Sequence, residues 1–360
     1  MLMAFCRSFT YIVSGMFILL FPAFLDVAYA LVDDRTVTLV TPAAVLNKRK
    51  ELIRYVWGAS GFPRNGVPQA VEKNRTSPVS GLKNLERVDT LHIPMEYGIR
   101  GLAHHFIPKR MNNRLVVLHL GHTDNCTFND GVPGEPDIGM RRTLNVLLVK
   151  GFSVLAVYMP HTTIEDCNGG HEEMFSLATS GSPMKFFFET TAVSLNYLLK
   201  GSDRYADVSM VGLSGGGWTT TIYAAIDPRI RLSIAVAGTV PLYLRYEGYN
   251  HDREQFLDSF YRRAGYPDIY VMGAFGVRRK QIQVLNRYDD VAFGERQHDT
   301  VKVGIPFKAA VKEYEKKVRA ALKKAGSGSF KVYIDETAQR HMISDTALEQ
   351  VIITSLSDSK

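Results

Sequence analysis

The sequence of 360 residues predicts an α/β fold with a mostly parallel central sheet, helices on both faces and a small cap insertion. The first observation is that short apolar runs alternate with longer segments of helical periodicity, several of which end at a glycine. The second is that many of these runs are continuously apolar, which is typical of strands buried on both faces of a parallel sheet. A composition of 46% hydrophobic and 22% charged residues supports a sizeable core and excludes global disorder.

The elements follow one another in a regular order. Two strand-like runs, Arg87–Pro94 and Ile99–Ile107, are separated by a Tyr-Gly turn signal and are predicted to pair antiparallel. The later strands are predicted at Leu115–Leu120, Phe152–Tyr158, Val208–Leu213, Leu232–Ala237, Gln281–Leu285 and Phe330–Ile334. The helices are predicted at about Ala43–Trp57, Ile138–Lys150, Met184–Leu199, Gly217–Ile226, Phe307–Lys324 and Ile343–Ser355.

The domain organisation is predicted as a main domain with additions. Residues 31–85 hold one helix and a connection rich in Gly, Pro and Asn, and we expect this extension to pack on the main domain, residues 86–360. The segment of about residues 239–270 breaks the alternation and is rich in Tyr, Phe and Arg. It is interpreted as a cap insertion over the carboxyl edge of the sheet, where open α/β sheets bind their ligands.

Residues 1–30 have the pattern of a signal peptide. Arg7 supplies the positive start, an apolar run extends from Phe9 to Leu25, and Ala28-Tyr29-Ala30 matches the small-x-small site after which signal peptidase cleaves. The alternative is an uncleaved membrane anchor, which Pro22 within the run disfavours. No later stretch is long and apolar enough to span a membrane, so the expectation is an exported protein, periplasmic or extracellular.

The cysteine and charge content of the sequence bears on disulfide formation and on nucleic-acid binding. Removal of the signal peptide would leave Cys126 and Cys167, and an oxidising compartment favours a disulfide between them over two free thiols. The net charge of +7 is spread over the chain without a stripe of interleaved aromatic and basic residues. Nucleic-acid binding is therefore not expected, and no motif for a cofactor is present.

The sharpest motif is Gly212–Gly217, which reads Gly-Leu-Ser-Gly-Gly-Gly and contains the pentapeptide Gly-x-Ser-x-Gly centred on Ser214. A buried strand enters the pentapeptide and a helical pattern leaves it, which is the strand–turn–helix context of a nucleophilic serine. The alternative is a glycine-rich phosphate loop, but the lysine of such a loop is missing after Gly217. The pattern therefore predicts Ser214 as a nucleophile.

A nucleophilic serine needs a base, and in this context the base comes last along the chain. Three histidines follow Ser214, namely His251, His298 and His341. His341 lies between the last predicted strand and the last predicted helix, on a loop at the same edge of the sheet. It is the predicted catalytic base, and an exposed loop histidine is the alternative.

The acid that orients the base is expected after the strand Gln281–Leu285, where Asp289 and Asp290 stand next to each other. Adjacent side chains point in different directions, so only one of the two can reach the imidazole. We predict Asp289 and keep Asp290 as the alternative acid.

The oxyanion hole requires two backbone N–H groups directed at the developing negative charge. Gly215 is the first predicted donor, and His122 in the loop after strand Leu115–Leu120 is the second, with Thr123 in reserve. A metal site that joins His122 to other histidines is an alternative, but no carboxylate or cysteine pair lies at ligand spacing, so no metal is predicted. The histidines of that alternative are His104, His105 and His119.

These residues resemble the α/β-hydrolase superfamily, and most closely its dienelactone-hydrolase-like and acetyl-xylan-esterase-like members. The shared motifs are Gly212–Gly217, the stretch Ala225–Ile230, and the acid loop Asn286–Asp290, in which Asn286 stands where the family has glycine. The resemblance covers roughly residues 87–355. It implies a serine esterase that acts through an acyl-serine intermediate, with Ser214 attacking, His341 moving the proton and Asp289 orienting the ring.

The expected substrate is a small-molecule or carbohydrate ester, polar or anionic rather than a long lipid. The reason is the Asn, His, Tyr and Arg content of three segments near the predicted site, Thr123–Asp137, His161–Pro183 and Thr239–Tyr270. Two alternatives remain. One is a peptidase or C–C hydrolase with the same triad, and the other is a non-catalytic binding protein on a hydrolase scaffold.

Overall fold

A computed structural model describes residues 34–122, 138–160, 171–200, 205–245, 252–298 and 303–358. The predicted signal peptide with its cleavage site after Ala30 lies outside the described residues. So do both cysteines of the predicted disulfide, Cys126 and Cys167, and the reserve oxyanion residue Thr123.

The centre of the fold is a sheet of nine strands, counted over these described ranges, in the order β1-β2-β3-β5-β4-β6-β7-β8-β9. Its strands are β1 (Ala70–Arg75), β2 (Leu85–Pro94), β3 (Arg100–Pro108), β4 (Arg114–His119), β5 (Ser153–Val157), β6 (Asp207–Leu213), β7 (Ile230–Val236), β8 (Lys280–Asn286) and β9 (Ser329–Asp335). Strands β1 to β3 pair antiparallel, β3 joins β5 antiparallel, and every pair from β5 through β9 is parallel. The predicted mostly parallel α/β sheet is confirmed.

Helices lie between the strands and at both ends of the described chain. They are α1 (Pro42–Trp57), α2 (Met140–Val149), α3 (Phe186–Leu199), α4 (Gly215–Ile226), α5 (Asp258–Tyr261), α6 (Tyr266–Ala274), α7 (Phe307–Ala325) and α8 (Thr354–Asp358), the last preceded by a π-helical stretch, Ala347–Ile353. Short 3₁₀ helices lie at Gly58–Ser60, Glu96–Gly98, Glu172–Ser176, Pro183–Lys185, Leu242–Leu244, Arg253–Gln255 and Glu295–Gln297. Among the described residues, no helix is both long enough and apolar enough to cross a bilayer.

Strand β1 is absent from the sequence prediction, which has a connection at this place. It lies at the edge of the sheet and its side chains are almost all exposed, so it carries no apolar pattern that would identify it. Strand β1 is defined instead by its antiparallel ladder with β2, in which Val71 lies opposite Leu91. Part of the predicted extension therefore belongs to the central sheet.

Buried charged side chains attach the N-terminal segment to the rest of the fold. The Arg49 guanidinium on α1 donates to the carbonyl oxygens of Ala225, 2.8 Å away, and Met272, 2.9 Å away. The carboxylate of Asp34 accepts hydrogen bonds from the backbone N–H groups of Leu242 and Tyr243. Since an unpaired buried charge is costly, these contacts fix α1 and the preceding chain against α4, α6 and the start of the insertion.

The insertion of about residues 239–270 ends in a regular element of the fold. Helix α6 begins at Tyr266 and is buried along its whole length, packed between α4 and α7. Helix α6 forms the crossover from β7 to β8, so it belongs to the alternating pattern of strands and helices. The irregular part of the insertion therefore ends before Tyr266. Within that part, Arg253–Gln255 forms a 3₁₀ turn that carries the fully buried Glu254.

Two buried histidines make the stability of the fold dependent on pH. Burial lowers the pKa of both His104 and His119 from 6.5 to about 4. Because the unfolded chain then binds more protons than the folded one, stability is complete above about pH 6.5 and falls as the pH drops towards 4. Between about pH 7.5 and about pH 5 we expect each histidine to remove about 2 kcal/mol from the free energy of unfolding.

Chemical denaturation of wild type and His104→Asn at these two pH values checks this expectation. Asparagine retains a polar group where His104 Nδ1 contacts the Tyr158 hydroxyl at 3.1 Å, but it does not titrate. The variant should show a pH dependence smaller than that of the wild type by about 2 kcal/mol. An identical pH dependence in the two proteins would contradict the assignment.

Candidate active site

Ser214 occupies the junction between β6, which ends at Leu213, and α4, which begins at Gly215. Its φ of 59° and ψ of −127° lie in a region that residues other than glycine rarely adopt. The surrounding structure holds this conformation, since the Ser214 N–H donates to the Val236 carbonyl at 3.0 Å and its carbonyl accepts from the Trp218 N–H at 2.9 Å. The serine is thus placed on a strained turn at the carboxyl edge of the sheet.

Two glycines allow this turn to pack closely against the strand beside it. A Cβ atom on Gly216 would lie 2.1 Å from the carbonyl oxygen of His119, at the end of β4. A Cβ atom on Gly121 would lie 2.7 Å from the Cβ atom of Ser214 and 3.1 Å from the backbone nitrogen of Gly215. Glycine at position 121 therefore leaves open the space directly beside Ser214 and the first N–H of α4.

A contact between His341 and Asp289 lies at the same edge of the sheet. His341 Nδ1 is 2.7 Å from Asp289 Oδ2, and the carboxylate is fully buried. The other carboxylate oxygen, Oδ1, accepts the backbone N–H groups of Val291 at 2.8 Å and Ala292 at 2.9 Å. These bonds hold the carboxylate in one orientation, so that it faces the Nδ1 atom of the imidazole.

The neighbouring Asp290 is oriented differently. Its side chain is exposed and lines the cavity in front of Ser214, whereas Asp289 points inward. Of the two aspartates that the sequence leaves open, Asp289 is the one that contacts His341.

Side chains from two strand ends hold the loop that carries His341. The Asn286 amide at the end of β8 donates to the carbonyl oxygens of Met342 at 2.7 Å and Arg340 at 3.3 Å. Asp335 at the end of β9 is fully buried and accepts from the Thr337 N–H at 2.8 Å. Asn286 thus fixes both neighbours of His341, which accounts for an amide side chain where the resembled family has glycine.

A cavity of about 440 Å³ lies in front of these residues. It is lined by His122, Ser214, Ala237, Arg245, Asp252, Gln255, Asp290, Val291, Ala292, Phe293 and His341. Ser214 and His341 therefore share one cavity. The Nε2 atom of His341 is buried and has no hydrogen-bond partner among the described residues, so it does not bond to the Ser214 hydroxyl here. Catalytic hydrogen bonds of this kind are commonly long before substrate binds.

The Arg245 guanidinium contributes a buried positive charge to the wall of this cavity. It lies over the rings of Tyr266 and Phe293, 4.6 and 4.8 Å from their centroids. It also donates to the carbonyl oxygens of Val240 and Gln255. The aromatic faces and carbonyl dipoles compensate the charge within the protein.

The predicted oxyanion residues, Gly215 and His122, lie side by side. A Cβ atom on Gly215 would lie 2.8 Å from both Cε1 and Nδ1 of the His122 imidazole. Gly215 is the first residue of α4, so its N–H is one of the donors that a helix leaves without a partner in its first turn. The other histidines of the metal alternative lie elsewhere: His104 contacts Tyr158, His105 contacts Tyr205 and His119 contacts the Leu120 carbonyl oxygen.

A second cluster of polar side chains adjoins the cavity, and the sequence analysis does not identify two of its three members. His122 Nε2 lies 2.5 Å from His171 Nε2 and 3.7 Å from Glu254 Oε1. His171 Nδ1 lies 3.3 Å from Glu254 Oε2. The ligand atoms of the three residues all lie within 4.8 Å of one another, so they could hold a metal ion. No local spacing motif joins them, because they come from three separate segments.

The two imidazoles of this cluster have opposite pKa shifts. Loss of contact with water is the main cause that lowers the pKa of His122, and the imidazoles of His171 and His341 act in the same direction. Burial also disfavours the charged form of His171, but nearby carboxylates, led by that of Glu254, outweigh it and raise the pKa of His171.

Known proteins resemble this chain in fold rather than in sequence. No protein-family model matches it, and no curated protein matches it in sequence. Acetyl xylan esterase 1 from Thermoanaerobacterium sp. JW/SL YS485 is 16% identical with a TM-score of 0.53, over 89% of this chain and 96% of that chain. Acetyl xylan esterase from Paenibacillus sp. R4 is 13% identical with a TM-score of 0.51, over 90% of this chain and 97% of that chain. A methylesterase is 11% identical with a TM-score of 0.57, over 88% of this chain and 64% of that chain.

At these levels of identity the similarity bears on the fold. The matches extend over most of this chain. Together with the strand–turn–helix at Ser214, they confirm the predicted architecture: this chain has the α/β-hydrolase fold.

Proposed function

We propose that this protein is a serine hydrolase that cleaves short-chain carboxylic esters, those of carbohydrates included, and that it acts after export from the cytoplasm. The observation that carries the proposal is the buried Asp289–His341 pair, with 2.7 Å between Oδ2 and Nδ1, in the cavity that also contains Ser214. A strained serine and an oriented imidazole at one site are the elements that acyl transfer requires. The acetyl xylan esterases of similar fold support the choice of ester bonds.

The proposed reaction follows from the role of each group. Asp289 keeps the His341 proton on Nδ1 and so leaves Nε2 free to accept the proton of the Ser214 hydroxyl. The serine oxygen then attacks the ester carbonyl carbon, and the carbonyl oxygen becomes an oxyanion that accepts from the N–H groups of Gly215 and His122. His341 returns the proton to the leaving alcohol. Water repeats the sequence on the acyl-serine and releases the carboxylic acid.

The cavity favours small, polar substrates. Much of its wall is polar or charged, with His122, Arg245, Asp252, Gln255 and Asp290 among the lining residues. A long acyl chain gains about 0.8 kcal/mol for each methylene that it buries against apolar surface, and a charged wall offers little of that gain. The enzyme should therefore bind a short acyl group and a hydrophilic alcohol.

A series of aryl esters from acetate to laurate, together with acetylated xylo-oligosaccharides, tests both parts of the proposal. We expect kcat/KM to be largest for acetate or butyrate and to fall at least about tenfold by decanoate, because only Ala237, Val291, Ala292 and Phe293 among the lining residues offer apolar side chains to the added methylenes. An increase with every carbon beyond eight would overturn the substrate class. If no ester in the series is cleaved faster than in the absence of enzyme, the hydrolytic function itself is rejected.

A further inference from the structure

We propose that the side chains of His122, His171 and Glu254 bind a divalent transition-metal ion, with Zn²⁺ the best match to the ligand set. His122 lies in the loop after β4, His171 directly before the 3₁₀ helix Glu172–Ser176, and Glu254 in the insertion. The three residues converge at the wall of the cavity in front of Ser214, where His122 is one of the lining residues. The proposed ion goes beyond the ester hydrolysis proposed above, whose steps do not use it.

The first argument is the environment of Glu254. Its side chain is fully buried, and neither carboxylate oxygen has a hydrogen-bond partner among the residues that the structure describes. The nearest basic groups are two imidazoles: His171 Nδ1 lies 3.3 Å from Glu254 Oε2, and His122 Nε2 lies 3.7 Å from Glu254 Oε1. A buried carboxylate without hydrogen bonds is costly, and a coordinated metal ion is a standard way in which proteins compensate one.

The second argument is the contact between the two imidazoles. The rings are stacked with centroids 4.7 Å apart, and their Nε2 atoms approach to 2.5 Å. Two such nitrogens can share only one proton, so at least one of them presents a lone pair towards its neighbour. A lone pair on at least one imidazole lies close to the Glu254 carboxylate, and a divalent cation that displaces the proton between the two rings would bind both imidazoles there.

The ligand set matches known zinc chemistry. Two histidines and one glutamate leave a fourth position for water or another ligand, as in several zinc sites. Two nitrogens about 2.05 Å from a tetrahedral ion stand about 3.3 Å apart, so the His122 and His171 rings would separate by somewhat less than about 1 Å on binding. His122 Nε2 lies 3.7 Å from Glu254 Oε1, which is near that spacing. The 3.3 Å contact of Glu254 is with Nδ1 of His171 and not with the Nε2 that faces His122, so His171 can offer the ion only one of these two nitrogens. His171 also packs edge-on against Phe187, 5.0 Å between centroids, which limits the motion of its ring.

An ion at this position would join three segments that are distant in sequence. Glu254 comes from the insertion and His122 lies against Gly215, so the ion would fix the insertion beside the first residue of α4. We therefore expect binding to raise the stability of the fold in addition to occupying the site, since a ligand that binds only the folded state stabilises it.

Calorimetric titration of ZnCl₂ into the chelator-treated full chain tests the proposal directly. We expect one ion per chain for the wild type and binding at least about 100-fold weaker in Glu254→Gln and in His171→Asn, because each loses a ligand. The matched controls, Glu295→Gln and His298→Asn, change an exposed glutamate and a histidine outside the cluster, and they should bind as the wild type does. Visible absorption bands of the Co²⁺-loaded wild type should indicate a tetrahedral site with nitrogen and oxygen ligands.

Thermal unfolding separates loss of binding from loss of folding. With chelator present, Glu254→Gln should still unfold in one cooperative transition, which shows that a loss of Zn²⁺ binding is not a loss of folding. Addition of Zn²⁺ should raise the unfolding temperature of the wild type and leave that of Glu254→Gln unchanged. The proposal is overturned if the wild type binds no stoichiometric ion, or if Glu254→Gln and His171→Asn bind Zn²⁺ as tightly as the wild type. These readouts do not depend on ester hydrolysis, so they hold whether or not the proposed activity is found.

Discussion

Replacement of Ser214 by alanine is expected to lower kcat for the hydrolysis of aryl acetates by about 10⁴-fold or more. The reason is that the proposed acyl intermediate forms on the Ser214 oxygen, and no other group in the mechanism can replace it. The substitution removes one oxygen atom from a turn held by backbone hydrogen bonds to Val236 and Trp218, so the fold should persist. Initial-rate kinetics with each protein at equal concentration measure the effect.

Ser259→Ala is the matched control for this variant, since Ser259 is an exposed serine on α5. Its kcat should equal that of the wild type within about twofold. Circular dichroism and thermal unfolding should show that Ser214→Ala is folded. Retention of a tenth or more of the wild-type kcat in folded Ser214→Ala would rule out the acyl-serine mechanism.

Replacement of Asp289 by asparagine should lower kcat by about 10³- to 10⁴-fold. The Asp289 carboxylate accepts from two backbone N–H groups through one oxygen and faces His341 Nδ1 through the other. An amide that keeps the bonds to the backbone would turn its NH₂ group towards Nδ1. This change would favour the tautomer with the proton on Nε2, which cannot accept the serine proton.

The adjacent Asp290 provides a control of identical chemistry. Asp290→Asn should keep kcat within about threefold of the wild type, because this side chain is exposed and does not contact the imidazole in the proposed mechanism. KM can change, since Asp290 lines the cavity. Equal losses of kcat in Asp289→Asn and Asp290→Asn would contradict the assignment of the acid.

The features that the sequence predicts well are those with a local physical cause. A continuous apolar run identifies a buried strand without knowledge of its neighbours, and Gly-x-Ser-x-Gly between a strand and a helix identifies a turn at Ser214. The choice of Asp289 over Asp290 also agrees with the contact to His341. The cause of that contact, the backbone N–H groups of Val291 and Ala292 that hold the carboxylate, becomes evident only from the three-dimensional structure.

The features that the sequence analysis does not identify depend on contacts between distant segments. Strand β1 has mostly exposed side chains and is defined by its ladder with β2. Asn286 stands out only by its departure from the glycine of the resembled motif, and its contacts lie more than 50 residues further along the chain. His171 and Glu254 are 83 residues apart by their numbering, 254 − 171, so no ligand-spacing motif relates them.

The most direct test of the central claim is reaction of the purified chain with a fluorophosphonate probe, followed by digestion and mass spectrometry of the modified peptides. An active serine hydrolase forms a covalent phosphonyl adduct at its nucleophile, and we expect one adduct per chain on Ser214. Ser259→Ala should be labelled to the same extent as the wild type, and Ser214→Ala should not be labelled. Absence of an adduct from the folded wild type, or an adduct on another residue that persists in Ser214→Ala, would contradict the proposal that Ser214 is the nucleophile.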